Sequence, residues 1–253
     1  VTKVYDTTDL DPLATFERHV FHRDQFAHYL RWTHVLREAK IGDKVVDFGC
    51  GRGNLLEVLY RNRFKPGWYV GMDIREKTIA SNIERFAGIT GFPVRFLAQD
   101  LIEPTYDLTA LRADKVCSFE VLEHVGKQNV DQFLANFKRC GRDGATYYLS
   151  TPNYDPQVGA ADNHTYDSGD GRGVQPQEWG HAELGVRIDD AGFKVVAKYG
   201  TFASQKDYKK HLTPAQAEVF KQLHAYYDAN LVSNIMAPIV DASLARNCLW
   251  VLQ

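Results

Sequence analysis

Residues 115–125, KVCSFEVLEHV, place Glu120, Glu123 and His124 directly behind an apolar run that ends in Phe119. If a helical turn starts near Phe119, positions 120, 123 and 124 share one face. Two carboxylates and an imidazole so arranged can hold a divalent cation (Mg2+, Mn2+ or Zn2+) with coordination positions left open. Such a cation chelates vicinal oxygens and lowers the pKa of a hydroxyl. Without a metal, His124 or Glu120 can serve as a general base. The bland alternative is a cap at His124 and a solvent-facing Glu123.

A second group precedes it. The stretch VVDFGCGRGNLLEVL carries Asp47, Gly49, Gly51 and Gly53 as D-x-G-x-G-x-G, between an apolar run and an amphipathic one. Glycines let the chain turn sharply and bring a ligand close to the backbone, and the helix start beyond offers free N–H groups to an anion. The dinucleotide fingerprint G-x-G-x-x-G needs a third glycine where Asn54 stands, and no Gly-Lys-Ser/Thr follows for a P-loop. Asp73 ends WYVGMDI and can accept both hydroxyls of a ribose. Asp100 ends VRFLAQDL and can accept from an exocyclic amine, with Ile74 and Leu101 as apolar walls for a purine. Together these positions describe a nucleoside pocket.

The elements that must position them alternate. Strands are expected at 44–48, 69–73, 94–98, 115–119, 145–150, 194–202 and 246–252, with helices at 53–62, 76–87, 129–140 and 178–191. Strict alternation implies an α/β fold, a parallel sheet with helices on both faces and ligands at the carboxyl ends of the strands. Residues 11–40 read as a helical N-terminal segment, with Phe16, Val20, Phe21, Tyr29, Leu30, Thr33 and Leu36 at helical spacing. Two long connections, 151–177 and 203–245, open from carboxyl ends and should overhang the same face. The second holds a helix near 213–231, introduced by Thr213-Pro214. The expected organisation is an N-terminal helical cover (1–40), a core (41–202 with 246–253) and a helical lid (203–245).

As a set, VVDFGCGRGNLLEVL, YVGMDI, FLAQDL, CSFEVLEHV and YYLSTPN resemble the successive motifs of class I S-adenosylmethionine-dependent methyltransferases, over roughly residues 40–202. The resemblance implies a Rossmann-like seven-stranded sheet whose last strand, ARNCLWVL, is antiparallel and inserts beside the fifth. It implies that Gly49, Gly51 and Gly53 line the methionine part of S-adenosylmethionine, that Asp73 binds the ribose and Asp100 the adenine amine, and that Phe119 lies near the sulfonium. Glu120, Glu123 and His124 as E-x-x-E-H resemble ubiquinone-biosynthesis O-methyltransferases and small-RNA 3′-terminal 2′-O-methyltransferases. The second branch implies a further His ligand between a T-P-N-like strand end and an E-W pair. Here these are Thr151-Pro152-Asn153, His164 and Glu178-Trp179, with His164 further from the pair than that pattern has it and His181 as the competing ligand.

The implied activity is methyl transfer, with a small hydroxylated molecule as the favoured acceptor and an RNA or other nucleic-acid end as the alternative. A methyltransferase-like binding module without activity is the non-enzymatic alternative, which the intact glycine loop, Asp73 and Asp100 disfavour. STPNY resembles the N/D-P-P-Y motif of nucleic-acid amino-methyltransferases, but follows the fifth strand rather than the fourth, so base N-methylation ranks low.

The 253 residues are 44% hydrophobic and 25% charged, with a net charge of −2, an ordinary globular balance with no overall pull toward polyanions. Locally, 194–224 sets six lysines (194, 198, 206, 209, 210, 221) against Asp207 and Glu218, among Tyr199, Tyr208 and His211. Such a stretch can hold an RNA end or serve only as a solvated face. No apolar run approaches the roughly 20 residues of a membrane span, and the first residues show no apolar signal region. Cys50, Cys117, Cys140 and Cys248 are scattered and read as reduced thiols of a cytoplasmic protein. His22, His28 and His34 read as surface or packing residues, whereas Arg18, Tyr29 and Trp32 are candidates to touch the cofactor from the N-terminal helix.

Overall fold

The computed structural model describes residues 23–153, 165–167, 174–176, 178–203 and 208–253. The strands among the described residues are β1 (Lys44–Phe48), β2 (Trp68–Asp73), β3 (Val94–Ala98), β4 (Ala113–Phe119), β5 (Gly141–Pro152), β6 (Thr165–Asp167), β7 (Val174–Pro176), β8 (Val195–Ala203) and β9 (Ala245–Leu252). Seven form one sheet in the order β3-β2-β1-β4-β5-β9-β8. The pairings of β1 through β5 are parallel, and β9 runs antiparallel between β5 and β8. The Rossmann-like sheet with its antiparallel last strand is therefore as expected. The order reverses between β1 and β4, and at such a switch point a crevice opens beyond the strand ends.

Burial on both faces explains the continuous apolar runs of the central strands. One face carries α1 (Arg23–Glu38), α2 (Asn54–Arg61) and α3 (Glu76–Arg85), which bury Trp32, Val35, Leu55, Leu56, Leu59 and Ile79 against Val45, Tyr69 and Cys117. The other carries α4 (Val130–Arg139) and α5 (His181–Asp190), which bury Phe133, Leu134, Phe137, Leu184 and Ile188 against Val46, Phe48 and Val116. Fully burying a Leu or Phe contributes about 1.5–3 kcal/mol, so these two layers hold the frame of the crevice rigid.

Two expectations about the connections change. The helix expected at 213–231 is two helices, α6 (Pro214–His224) and α7 (Ala229–Met236). The Tyr226 and Tyr227 amides both donate to the Leu223 carbonyl and close α6, while Asp228 Oδ1 accepts from the Leu231 amide and starts α7. Thr213 and Gln216 form a capping box at the start of α6. Tyr208, Val232, Met236, Ala237 and Val240 give this segment a small core of its own. Within 151–177, β6 and β7 pair antiparallel. Residues 11–22 of the expected N-terminal helix lie outside the described residues, as does His164. Among the described residues no helix is long and apolar enough to cross a membrane.

Candidate functional site

The carboxyl ends of β1, β2, β3 and β4 open into one cleft of about 660 Å3. Asp47, Gly49, Gly51, Asp73, Ile74, Asp100, Leu101, Phe119, Glu120 and His124 all line it, so most of the site residues expected from the sequence come together. Gly53 and Glu123 are not among its lining residues. Gly53 instead turns the chain into α2 in the left-handed region, at φ 75°.

Local backbone geometry builds the half of the cleft under β1–β3. The Gly49 and Cys50 amides each donate to the Met72 carbonyl at 2.8 Å, which lays the loop across the end of β2. Gly49 sits at φ 93°, and a Cβ there would meet Val121 Cγ2 at 2.4 Å, so only glycine fits. Asp73 Oδ2 accepts from the Gly51 amide at 3.0 Å, and Oδ1 accepts from the Arg75 amide at 3.0 Å and Arg75 Nε at 3.1 Å. Asp100 Oδ1 accepts from the Ile102 amide at 2.8 Å, which turns the chain after β3. Asp47 is buried and accepts from the Tyr69 hydroxyl at 2.7 Å. Burial, opposed by that hydrogen bond and assisted by the Asp73 charge, pushes its pKa up to about 7.

The half under β4, β5 and β9 is built from distant residues. The Glu120 amide donates to the Ser150 carbonyl at 2.9 Å, so strand pairing continues past Phe119 and no helical turn starts there. Glu120 then takes φ 55°, a left-handed conformation that is costly for a residue with a Cβ. Its carboxylate is gripped by three donors: Arg31 Nη1 at 2.5 Å, Ser150 Oγ at 2.8 Å and Asn247 Nδ2 at 2.5 Å. A short 3₁₀ turn at Leu122–His124 follows. It sends Glu123 inward, where Oε2 accepts from Thr151 Oγ1 at 3.1 Å, and leaves the His124 side chain 44% exposed at the cleft. Burial, then the charges of Glu120 and Glu178, hold the Glu123 carboxyl well above the usual carboxylate range.

The cation reading does not fit this arrangement. The common face expected for 120, 123 and 124 rested on a helix starting at 119, and strand pairing displaces that start. Among the described residues no three His, Cys, Asp or Glu side chains converge as metal ligands. His181, the alternative fourth ligand, stacks on Trp250 at 4.5 Å and is absent from the cleft lining. Burial first, then Lys198, lowers its pKa to about 4.

Sequence reasoning missed the contribution of α1. Trp32 lines the cleft as anticipated, but Tyr29 is 60% exposed and outside it, and Arg18 lies outside the described residues. His28, expected as a surface or packing residue, lines the cleft and stacks on Trp32 at 5.3 Å. Arg31 is buried and anchors Glu120. The available signal was spacing, because positions 28, 31 and 32 share one face of a helix. Glu178 and Arg246 were also missed as a pair: Arg246 Nη2 donates to Glu178 Oε1 at 2.7 Å and Nη1 to the Asn153 carbonyl at 3.2 Å.

Comparison with known proteins bears on this cleft. Residues 21–198 match a family model described as a methyltransferase domain. A stretch of 147 residues is 26% identical to mRNA cap guanine-N(7) methyltransferase 1 of Oryza sativa subsp. japonica, covering 53% of this chain and 39% of that protein. A stretch of 120 residues is 31% identical to the mitochondrial ubiquinone biosynthesis O-methyltransferase of Dictyostelium discoideum, covering 44% of this chain and 36% of that protein. The matches thus span under half the length of either relative. Among solved structures, a chain from the Haloferax volcanii complex of the Trm112 methyltransferase activator with a methyltransferase has the same fold. It superposes with a TM-score of 0.58 at 21% identity, over 98% of this chain and 94% of that one.

Proposed function

This chain belongs to the methyltransferase domain family, and we propose that it transfers the methyl group of S-adenosylmethionine to a hydroxyl oxygen of a small molecule, with His124 as general base. The observation that carries this reading is the continuity of the cleft from the acid-ended strands, Asp73 and Asp100, past Phe119 to the half-exposed imidazole of His124. The residues fit the cofactor: Gly49 and Gly51 leave room for close approach, Asp73 and Asp100 offer acceptors, and Ile74 and Leu101 offer apolar walls. In this reading Asp73 holds the ribose, Asp100 the adenine amine, and the glycines with Asp47 the methionine end. Ribose binding requires the Arg75 side chain to give up its place on Asp73 Oδ1.

The bound cofactor supplies an activated methyl group on a sulfonium. The protein holds the acceptor oxygen in line with that methyl and removes its proton. With S-adenosylmethionine bound, the His124 imidazole would take the hydroxyl proton as the oxygen accepts the methyl, with S-adenosylhomocysteine as the leaving group. A neutral hydroxyl is a poor nucleophile, so the base contributes roughly 10²–10⁴-fold. Glu120 is not the base in this scheme, because Arg31, Ser150 and Asn247 already occupy its carboxyl oxygens. Its role is to fix the floor of the acceptor side.

A second reading is supported by the similarity to the Oryza cap guanine-N(7) methyltransferase. A nucleic-acid end would occupy the acceptor side, with the lysine-rich stretch at 194–224 as its electrostatic contact. Label transfer from S-adenosylmethionine to a panel of small phenols and diols and to capped or uncapped RNA ends separates the two. Transfer to a small hydroxylated acceptor, insensitive to salt, is expected. Transfer only to RNA, falling steeply with salt, would establish the second reading instead.

A further inference from the structure

Two imidazoles line the cleft, and only His124 has a role in the reading above; His28 is joined to the Glu120 end through Arg31. His28 is held differently. Arg31 Nη2 lies 2.6 Å from His28 Nδ1. A guanidinium only donates hydrogen bonds, so Nδ1 must present its lone pair. The ring is therefore neutral, and its hydrogen sits on Nε2. Burial, then the Arg31 charge, push its pKa well below the ordinary value, in keeping with that tautomer. Arg31 is itself immobilised: it is buried, and its Nη1 reaches Glu120 at 2.5 Å and Ser150 Oγ at 3.3 Å. Stacking on Trp32, with ring planes 19° apart, fixes the tilt of the imidazole. Among the described residues no hydrogen bond engages Nε2.

From this geometry we infer that His28 is an acceptor-positioning residue whose Nε2–H donates to an oxygen adjacent to the hydroxyl being methylated. The inference rests on the reading of the cleft as an O-methyltransferase site. His28 cannot take the hydroxyl proton, since its lone pair is committed to Arg31. What it can do is hold a neighbouring oxygen as a hydrogen-bond acceptor while His124 receives the proton. The cleft thus favours acceptors with two adjacent oxygens through a fixed donor, a selectivity that the sequence reading assigned to a chelated cation. Glu120 becomes the last link of a relay of position: it fixes Arg31, which fixes the His28 tautomer.

The test uses the full chain with S-adenosylhomocysteine, and catechol and phenol as probes. Calorimetry first checks that S-adenosylhomocysteine binds; if it does not, the methyltransferase reading fails before this one is reached. With it bound, the imidazole nitrogen resonances of isotope-labelled protein, assigned with a His28→Gln variant, should show His28 protonated on Nε2. Catechol should shift the Nε2 signal and phenol should leave it in place. In steady-state label transfer, His28→Phe, which keeps an aromatic stack on Trp32, should lower kcat/KM for catechol roughly tenfold, the magnitude of one neutral hydrogen bond. It should change kcat/KM for phenol less than about twofold. His28→Gln, which restores an N–H donor, should recover part of the loss. A ring protonated on Nδ1, or catechol leaving Nε2 unmoved, would overturn the inference on the wild-type protein alone. Equal losses for catechol and phenol in His28→Phe would also overturn it.

Discussion

The two halves of the cleft are built on different plans. Under β1–β3, each polar group is engaged by backbone or side-chain atoms of its own or the adjacent strand loop: Asp73 by Gly51 and Arg75, Asp100 by Ile102. Under β4, β5 and β9, the engaged groups lie far apart in the chain. Glu120 is held by Arg31, Ser150 and Asn247, and Glu178 by Arg246. The first half is a set of local turns that assembles wherever its strands pair. The second is a convergence of buried and part-buried charges that exists only when the N-terminal helix, the central strands and the last strand are all in place. In the proposed reading, the cofactor is met by a transferable local motif and the acceptor by a site that distant residues specify.

That contrast can be broken by substitution. The largest effect should come from Arg31→Met, which leaves the Glu120 carboxylate short of its charged partner. Removing one member of a buried pair costs about 3–5 kcal/mol, and urea midpoints should fall accordingly. Gly49→Ala should be next, at about 1–3 kcal/mol for a left-handed backbone with an added contact, together with weakened S-adenosylhomocysteine binding. If Gly49→Ala proved harmless to both, the local plan for the first half would be wrong. Asp73→Asn should keep the fold and weaken S-adenosylhomocysteine roughly tenfold or more by calorimetry, through loss of a charged hydrogen-bond acceptor.

Asp47 provides a finer test. Its pKa in the fold is about 7, above the ordinary 3.8. Between those values the folded chain keeps a proton that the unfolded chain has released. The Asp47 contribution to stability is therefore fully present below the lower value and lost as pH rises through the upper one. Denaturant titrations across that interval should show a downward slope in the wild type that flattens in Asp47→Asn. The smallest effect should be Thr213→Ala, which removes the cap of α6, a helix that contributes no lining residue to the cleft, at about 1 kcal/mol and leaves cofactor affinity unchanged.

Legibility in the sequence followed the same division. The sheet, its antiparallel last strand and the convergence of Asp47, Gly49, Gly51, Asp73 and Asp100 on one cleft were readable because their signals are local: apolar runs ending in acids, and glycines between a strand and a helix. The acceptor half was misread at one backbone decision. A helix from Phe119 would have put 120, 123 and 124 on one face, but pairing of Glu120 with Ser150 depends on a strand thirty positions further along, and their side chains bond across the same separation. The Arg31–Glu120 bridge, 89 positions apart, leaves no mark in either segment alone. His28 carries no signal beside His22 and His34, which do not share its helical face; its partners are Arg31 and Trp32, its neighbours on the helix. The break after α6 turns on Asp228 acting as a cap inside a continuous helical pattern, which is a short-range signal that could have been caught.

The most direct test of the division is label transfer from S-adenosylmethionine to a hydroxylated acceptor by His124→Ala, at saturating cofactor. The turnover number should fall by roughly 100-fold or more while the affinity for S-adenosylhomocysteine stays at the wild-type value. Undiminished turnover in His124→Ala would contradict the assignment of the proton acceptor, and with it the functional account of the acceptor half.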